Sequence, residues 1–159
     1  NLLAEDGRLE GNLYNRVGPA ILTPHPAEAG RLLGCSVRDI QHDRIKAALD
    51  LADRYRSYIA LKGCGTVVAT PDGRWWINTT GNPGMATAGM GDVLCGLIVA
   101  LLAQNWPAET ALLAAVHLHG AAADRLVAQG IGPVGLTAGE VVDAARHLYN
   151  AWVSPGNSL

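Results

Sequence analysis

Phenylalanine is absent, aromatic residues make up only 5% of the 159, and charged residues only 16%. A chain so poor in charge and yet 49% hydrophobic buries a core, which excludes disorder and coiled coil. Neither sign of charge is in excess, with 12 Lys and Arg against 14 Asp and Glu and a formal net charge of -2. That balance offers no dense positive face for nucleic acid or an anionic membrane surface, and points to a small partner molecule. Cysteine is scarce: Cys35, Cys64 and Cys95 are odd in number and widely spaced, with no CxxC and no Cys/His zinc pattern. Such usage suits a reducing cytoplasm, and the three read as small buried thiols. Long apolar runs are missing too, since Val93 to Ala103 falls far short of the roughly 20 residues that cross a bilayer and reads as a buried core helix. Asn1 to Asp6 lack the basic start and apolar stretch of a secretory signal, so the expected location is cytoplasmic.

What is present is an alternation of short apolar runs with helical periodicity. After a short helical start, Ala20–Thr23 is a strand closed by Pro24-His25-Pro26. Glu28–Leu33 reads as a short helix stopped at Gly34, and Ser36 with Asp39 starts a long amphipathic helix to about Tyr55. Ile40, Ile45, Leu49 and Ala52 line its apolar side; Arg38, Asp43, Lys46, Asp50 and Arg54 line the wet side. Tyr58–Leu61 is a second strand, and Val67–Thr70, the turn Pro71-Asp72-Gly73 and Trp75–Asn78 form a β-hairpin. Alternation across that hairpin buries one of Trp75 and Trp76 and leaves the other partly exposed, as an oligomer contact or a nucleotide-stacking ring. Helices follow at Asp92–Ala103, at Ala108–Ala128 after Pro107, and from Thr137, whose capping box with Glu140 opens a last helix ending near Trp152. The pattern predicts one layered α/β domain over residues 1–159, with a mostly parallel central sheet plus the hairpin.

Chemistry concentrates after the strands, where such sheets bind ligands. Asn82-Pro83-Gly84-Met85-Ala86-Thr87-Ala88-Gly89-Met90-Gly91-Asp92 is a glycine-punctuated loop running into an apolar helix. Unpaired N–H groups and the positive end of the helix dipole make such a start an anion cradle, here Gly89, Met90 and Gly91. Asp92 is then either the helix cap or a base that takes a proton from a substrate hydroxyl. The loop is neither a Walker A motif nor a dinucleotide fingerprint. Lys62-Gly63-Cys64-Gly65-Thr66 offers a cation, a hydroxyl and close backbone approach, or else only a turn with a solvated lysine. His25, held between prolines, donates to a substrate amide or phosphate or is an ordinary turn residue, and Glu28 is a ligand or a first-turn acid. His117 and His119, two apart on a helix, make a poor metal pair and read as packing residues.

Taken in order, Thr23-Pro24-His25-Pro26 with Glu28, Leu61 to Thr66, and Asn82 through Leu94 resemble the signature blocks of the NAD(P)H-hydrate dehydratases, of the ribokinase-like superfamily. Leu118-His119-Gly120-Ala121-Ala122-Ala123-Asp124 and Gly135-Leu136-Thr137-Ala138 are similar to further segments of that family. The resemblance implies repair of the 6S hydrate of NADH or NADPH, with ADP or ATP as phosphoryl donor and Mg²⁺ held mostly through phosphates and waters, so no protein metal ligands are expected. By that analogy Asp92 is the base on the ring hydroxyl, and Gly89, Met90 and Gly91 form the hole for the transferred phosphoryl group. Lys62, Gly63, Cys64, Gly65 and Thr66, with Gly91, contact the nucleotide, and His25 with Asp92 contacts the hydrate.

The resemblance begins at Asn1, whereas family members carry a preceding segment with more strands and another part of the substrate pocket. Residues 1–159 then correspond to the C-terminal portion of a ribokinase-like domain, for which weak or no turnover is expected in isolation. A homo-oligomer and an association with an NAD(P)H-hydrate epimerase are the expected partners. Two other functions use the same residues: a ribokinase-like kinase of a vitamin precursor or sugar, and a non-catalytic nucleotide-binding or assembly module.

Overall fold

Burial is deepest where the sequence alternates least. The computed structural model of the chain describes residues 15–154 together with Leu3, Gly11 and Leu13, so the expected helical start lies almost wholly outside the described residues. Contacts divide the chain into two compact units, one running to Asn78 and including Pro107–Leu112, the other comprising Thr79–Trp106 and the residues from Leu113 onward.

The first unit holds a mixed sheet of four strands in the order β1 (Ile21–Leu22), β2 (Tyr58–Leu61), β3 (Val67–Ala69), β4 (Trp75–Ile77). β1 and β2 are parallel, with Ile21 opposite Tyr58; β2–β3 and β3–β4 are antiparallel, with Leu61 opposite Val67 and Val68 opposite Trp76. The α/β class is as expected: the parallel part among the described residues is the β1–β2 pairing, and the hairpin adds the antiparallel part. Ile59, Ala60 and Leu61 are all buried, the mark of a strand covered on both faces. β4 differs. As the edge strand it leaves Trp75 and Ile77 exposed and Trp76 half-buried, so neither tryptophan is buried as expected, and the Arg74 guanidinium lies over the Trp76 ring at 5.5 Å.

Among the described residues this unit also holds the helices α1 (Pro26–Leu33), α2 (Val37–His42) and α3 (Arg44–Tyr55), while Leu3, Gly11 and Leu13 are helical as well. The single helix expected from Ser36 to Tyr55 is two. Asp43 leaves helical geometry (φ -144°, ψ 86°) and its carboxylate accepts from the Lys46 N–H, so a cap forms in mid-pattern. Ala47, Ala48, Leu51, Ala52 and Tyr55 turn inward to meet Ala29, Leu32, Ile59, Leu61 and Val67, while Ile45 and Leu49, expected inside, are only partly buried.

The second unit is helical. It contains α4 (Met90–Ala103), α5 (Ala108–Ala128, whose first turn belongs to the first unit) and α6 (Ala138–Val153), the last capped as expected by Thr137 and Glu140. Its core joins Met90, Leu118, Ala122, Ala123, Leu126, Leu136, Val141, Ala144 and Ala145. α4 is apolar all round, yet only Met90, Leu94, Ile98 and Leu101 are buried, one stripe at helical spacing. Val99 is 62% exposed on the opposite side, which corrects the expectation of a wholly buried helix. The cysteines correct another expectation, because Cys35, Cys64 and Cys95 are all exposed. Cys35 and Cys64 sit in connections and Cys95 on the open side of α4, so position overrides the usual burial of thiols. Among the described residues no helix is long and apolar enough to cross a membrane.

Candidate active site

Because β1 and β2 run parallel, their carboxyl ends lie side by side, and the Lys62 N–H donates to Pro24 O at 2.9 Å. The chain leaving β1 turns at once into α1, with Pro26 in the first turn, where a missing N–H costs nothing. His25 is the cap. Its Nδ1 accepts from the Ala27 N–H (3.2 Å) and the Glu28 N–H (3.3 Å), while Glu28 Oε2 accepts from the His25 N–H at 2.8 Å. Two donors on Nδ1 mean that the neutral ring carries its proton on Nε2, so the imidazole presents a donor outward. Glu28 Oε2 also lies 3.6 Å from His25 Nε2 and 3.9 Å from Lys62 Nζ. The structure thus brings His25, Glu28 and Lys62 together around one carboxylate oxygen. Beside them a shallow pocket of about 210 Å³ is lined by Leu3, Leu22, Thr23, Pro24, Glu28, Arg31 and Leu32.

The turn after β2 needs its glycines. Gly63 (φ +148°) and Gly65 (φ +66°) occupy backbone conformations that side chains disfavour, and the Thr66 hydroxyl closes the turn onto Gly63 O at 3.2 Å. Arg44, which the sequence reading passed over, donates to Leu61 O (3.0 Å), Cys64 O (3.2 Å) and Gly65 O (3.3 Å). Burial pushes its pKa below the ordinary arginine value, with Cys64 opposing the shift. The signal was available: Arg44 shares the inward stripe of Ala48, Leu51 and Tyr55 at spacings of four, seven and eleven, a place where a charge needs a reason.

In the second unit, Gly89 (φ +85°), not Asp92, is the residue that opens α4, and among the described residues no side chain caps this end. The first backbone bond of the helix runs from the Val93 N–H to Gly89 O (3.0 Å), so the N–H groups of Met90, Gly91 and Asp92 precede it without intrahelical acceptors. Asp92 lies at the third helical position with an exposed side chain. Met90 packs its side chain into the core, which leaves its backbone N–H as the only part able to meet an anion. The preceding loop is fastened to α5: Thr80 Oγ1 donates to His117 O (3.0 Å), and the Asp124 carboxylate accepts from the Gly81 N–H (2.8 Å) and Asn82 Nδ2 (3.0 Å). Asn82 Oδ1 in turn accepts from the Gly84 N–H at 3.0 Å. Gly120 makes this seating possible, since a Cβ there would stand 2.2 Å from Thr80 Oγ1. In the sequence Asp124 belongs only to a resembling segment, and its signal is a carboxylate inside an otherwise small and apolar helical stretch. His117 stacks on Trp152 (centroids 5.7 Å apart, planes at 28°) and His119 is buried, both serving packing.

The family model described as NAD(P)H-hydrate dehydratase matches residues 2–145. The chain belongs to that family. An ADP-dependent (S)-NAD(P)H-hydrate dehydratase of Neisseria meningitidis is 46% identical over 150 residues, 94% of this chain and 50% of that protein. Among solved structures, the ADP/ATP-dependent NAD(P)H-hydrate dehydratase of Bacillus subtilis co-crystallised with ATP/Mg²⁺ superposes with a TM-score of 0.82 at 38% identity, over 87% of this chain and 50% of that one. A ribokinase-like superfamily protein of Enterococcus faecalis gives 0.71 at 28% identity, over 89% and 49%. As an NAD(P)H-hydrate dehydratase family member, the chain spans about half the length of these relatives, and its fold is the ribokinase-like α/β fold.

Proposed function

We propose that the protein carrying this chain dehydrates the hydrate of NADH or NADPH with ADP or ATP as phosphoryl donor, and that residues 1–159 are part of one ribokinase-like domain. The observation that carries the reading is the open start of α4. Asp92 is not consumed as a cap, and backbone N–H groups with no acceptor in the helix lie next to an exposed carboxylate. A carboxylate there repels a resting phosphate, so it is useful only if it takes a proton while a phosphoryl group moves.

In the mechanism Asp92 accepts the proton of the ring hydroxyl as its oxygen attacks the terminal phosphorus of the nucleotide. The bond from that phosphorus to the nucleotide's bridging oxygen breaks, and the N–H groups of Gly89, Met90 and Gly91, with that of Asp92 next in line, meet the charge on the transferred group. The ring nitrogen's lone pair then expels phosphate, and loss of a ring proton restores the reduced nicotinamide. Mg²⁺ supplies charge neutralisation when it arrives with the phosphates. Lys62 and the turn through Thr66 hold the nucleotide, and His25 offers Nε2–H to the hydrate, kept in that tautomer by its capping bonds. A homo-oligomer, a cytoplasmic location and an associated epimerase activity belong to the same proposal.

The test incubates the full-length protein with hydrated NADH, ADP or ATP, and Mg²⁺, and follows the return of reduced-nicotinamide absorbance. Absorbance returns with wild type, and Asp92→Asn slows turnover by about 10³-fold while nucleotide binding persists. A stable phosphorylated product with no return of absorbance would mark a kinase instead, and no nucleotide-dependent product at all would end the enzymatic reading.

A further inference from the structure

The glycine turn that follows β2 is shaped from behind by one side chain, and the direction of its peptide groups follows from that. Arg44 is the first residue of α3 and lies on the helix's inward stripe, with Asp43 rather than Arg44 acting as cap. Among the described residues every hydrogen bond of its guanidinium ends on a carbonyl of one segment: Leu61, Cys64 and Gly65. Its Nε is buried with no partner among the described residues, a cost that ordinary surface arginines avoid by turning to solvent. Gly63 completes the fit, because a Cβ at that position would stand 2.5 Å from the nearest guanidinium nitrogen.

Three carbonyls drawn to one cation leave the amides of the same peptide units turned the other way, because a trans peptide is planar and its C=O and N–H point in opposite directions. The Leu61–Lys62 unit shows this directly: its carbonyl meets Arg44 and its N–H reaches Pro24 O. In the Cys64–Gly65 unit the carbonyl meets Arg44, and the Gly65 N–H therefore faces away from it, with no partner among the described residues. The Gly65 φ of +66° is the conformation in which the third residue of a four-residue turn presents its amide in this way.

We infer that Arg44 is a positioning residue for nucleotide binding, holding the turn at Lys62–Thr66 with its carbonyls inward so that the Gly65 N–H is presented to the phosphates. The inference rests on the reading above that this turn contacts the nucleotide. Arg44 itself touches no ligand. Its effect falls on nucleotide affinity and leaves the chemistry at Asp92 unchanged.

The experiment compares Arg44→Met, Arg44→Lys and a control, Arg74→Met, in the full-length protein. Arg74 is held by Asp72 and Glu109 and belongs to the same unit but not to the turn. For each, kcat, the KM for ADP or ATP, the KM for the hydrate and Tm are measured. Arg44→Met is expected to raise the nucleotide KM about tenfold or more, with kcat and the hydrate KM within about twofold. Arg44→Lys restores part of the affinity, since one ammonium reaches fewer carbonyls than a planar fork. Arg74→Met lowers Tm without moving the nucleotide KM. A wild-type nucleotide KM in Arg44→Met, or an equal KM shift in Arg74→Met at equal Tm loss, overturns the inference. If Arg44→Met does not fold, Arg44→Lys decides alone, by a raised nucleotide KM at wild-type Tm or by none. Calorimetric titration of wild type with ADP and ATP separates the two levels of failure: no binding there defeats the proposed function, whereas wild-type binding that Arg44 variants retain defeats only the role of Arg44.

Discussion

The turn at 62–66 and the loop at 79–89 are both rich in glycine, and they are held by opposite charges. In the first, a cation on α3 collects carbonyl oxygens. In the second, an anion on α5, Asp124, collects a backbone N–H and a side-chain amide. The sign decides what each segment has left for a ligand. A cation behind the backbone takes acceptors and turns amides outward, which suits a segment that meets phosphate directly. An anion takes donors, so the N–H groups of Gly81, Gly84, Met85 and Ala86 are already paired, and the loop serves instead to deliver the chain to the uncapped start of α4. Arg44 is therefore expected to govern affinity for the nucleotide, and Asp124 the rate of the step at Asp92.

The largest test of that difference is Gly120→Ala. The added Cβ meets Thr80 Oγ1 at 2.2 Å and Thr80 backbone carbon at 2.6 Å, so backbone has to move and not merely the end of a flexible side chain. The expected cost is about 2–3 kcal/mol of stability, read from denaturant midpoints, together with a fall in kcat much larger than any change in nucleotide KM. Unchanged stability would show that the seating of the loop on α5 is slack.

Asp124→Asn is milder and sharper. The amide keeps one acceptor for the Gly81 N–H but sets its own NH₂ against Asn82 Nδ2, replacing a charge-assisted bond by a donor facing a donor. A loss of about 1–3 kcal/mol is expected, with kcat lowered about tenfold and the nucleotide KM unmoved, the reverse of the signature expected for Arg44→Met. If Asp124→Asn raises the nucleotide KM and spares kcat, the proposed division of labour between the two segments is wrong.

Much of this was legible in the sequence, for reasons that differ by residue. The β-hairpin, α5 and α6 were readable because their signals are local: a Pro-Asp-Gly turn, a proline before the helix, a Thr and Glu three apart. The break at Asp43 was missed because one carboxylate capping the next helix outweighs an apolar rhythm that continues through it. The α4 face and the tryptophans were misjudged because hydrophobicity ranks residues by what they prefer, while burial depends on which side of an element has a neighbour. Of the site, His25, Glu28 and Lys62 do come together, and Asp92 does stand free of capping duty. Arg44 and Asp124 went unassigned because their partners are backbone groups 17 to 21 and 42 to 43 residues away, a separation that no local pattern encodes.

The smallest effect concerns carboxylates that do act as caps, and it isolates what is unusual about Asp92. Bonds from Ser36 hold the Asp39 carboxyl below its ordinary value, and bonds from Thr137 do the same for Glu140, with burial opposing in both. A pKa lowered in the folded state contributes stability above the unfolded value, and that contribution is lost as pH falls through the folded value. Both groups are fully solvated, so the gain is modest, and Glu140→Gln should lower Tm at pH 7 by no more than about 2 °C. As pH falls through that lowered folded-state value the wild-type carboxyl is itself protonated, and the difference between Glu140→Gln and wild type should close. Asp92→Asn should lose no capping contribution to Tm at pH 7, because no hydrogen bond to its carboxylate is present at the start of α4 among the described residues. A Tm loss at pH 7 for Asp92→Asn that matches the loss for Glu140→Gln would mean that Asp92 is a cap after all.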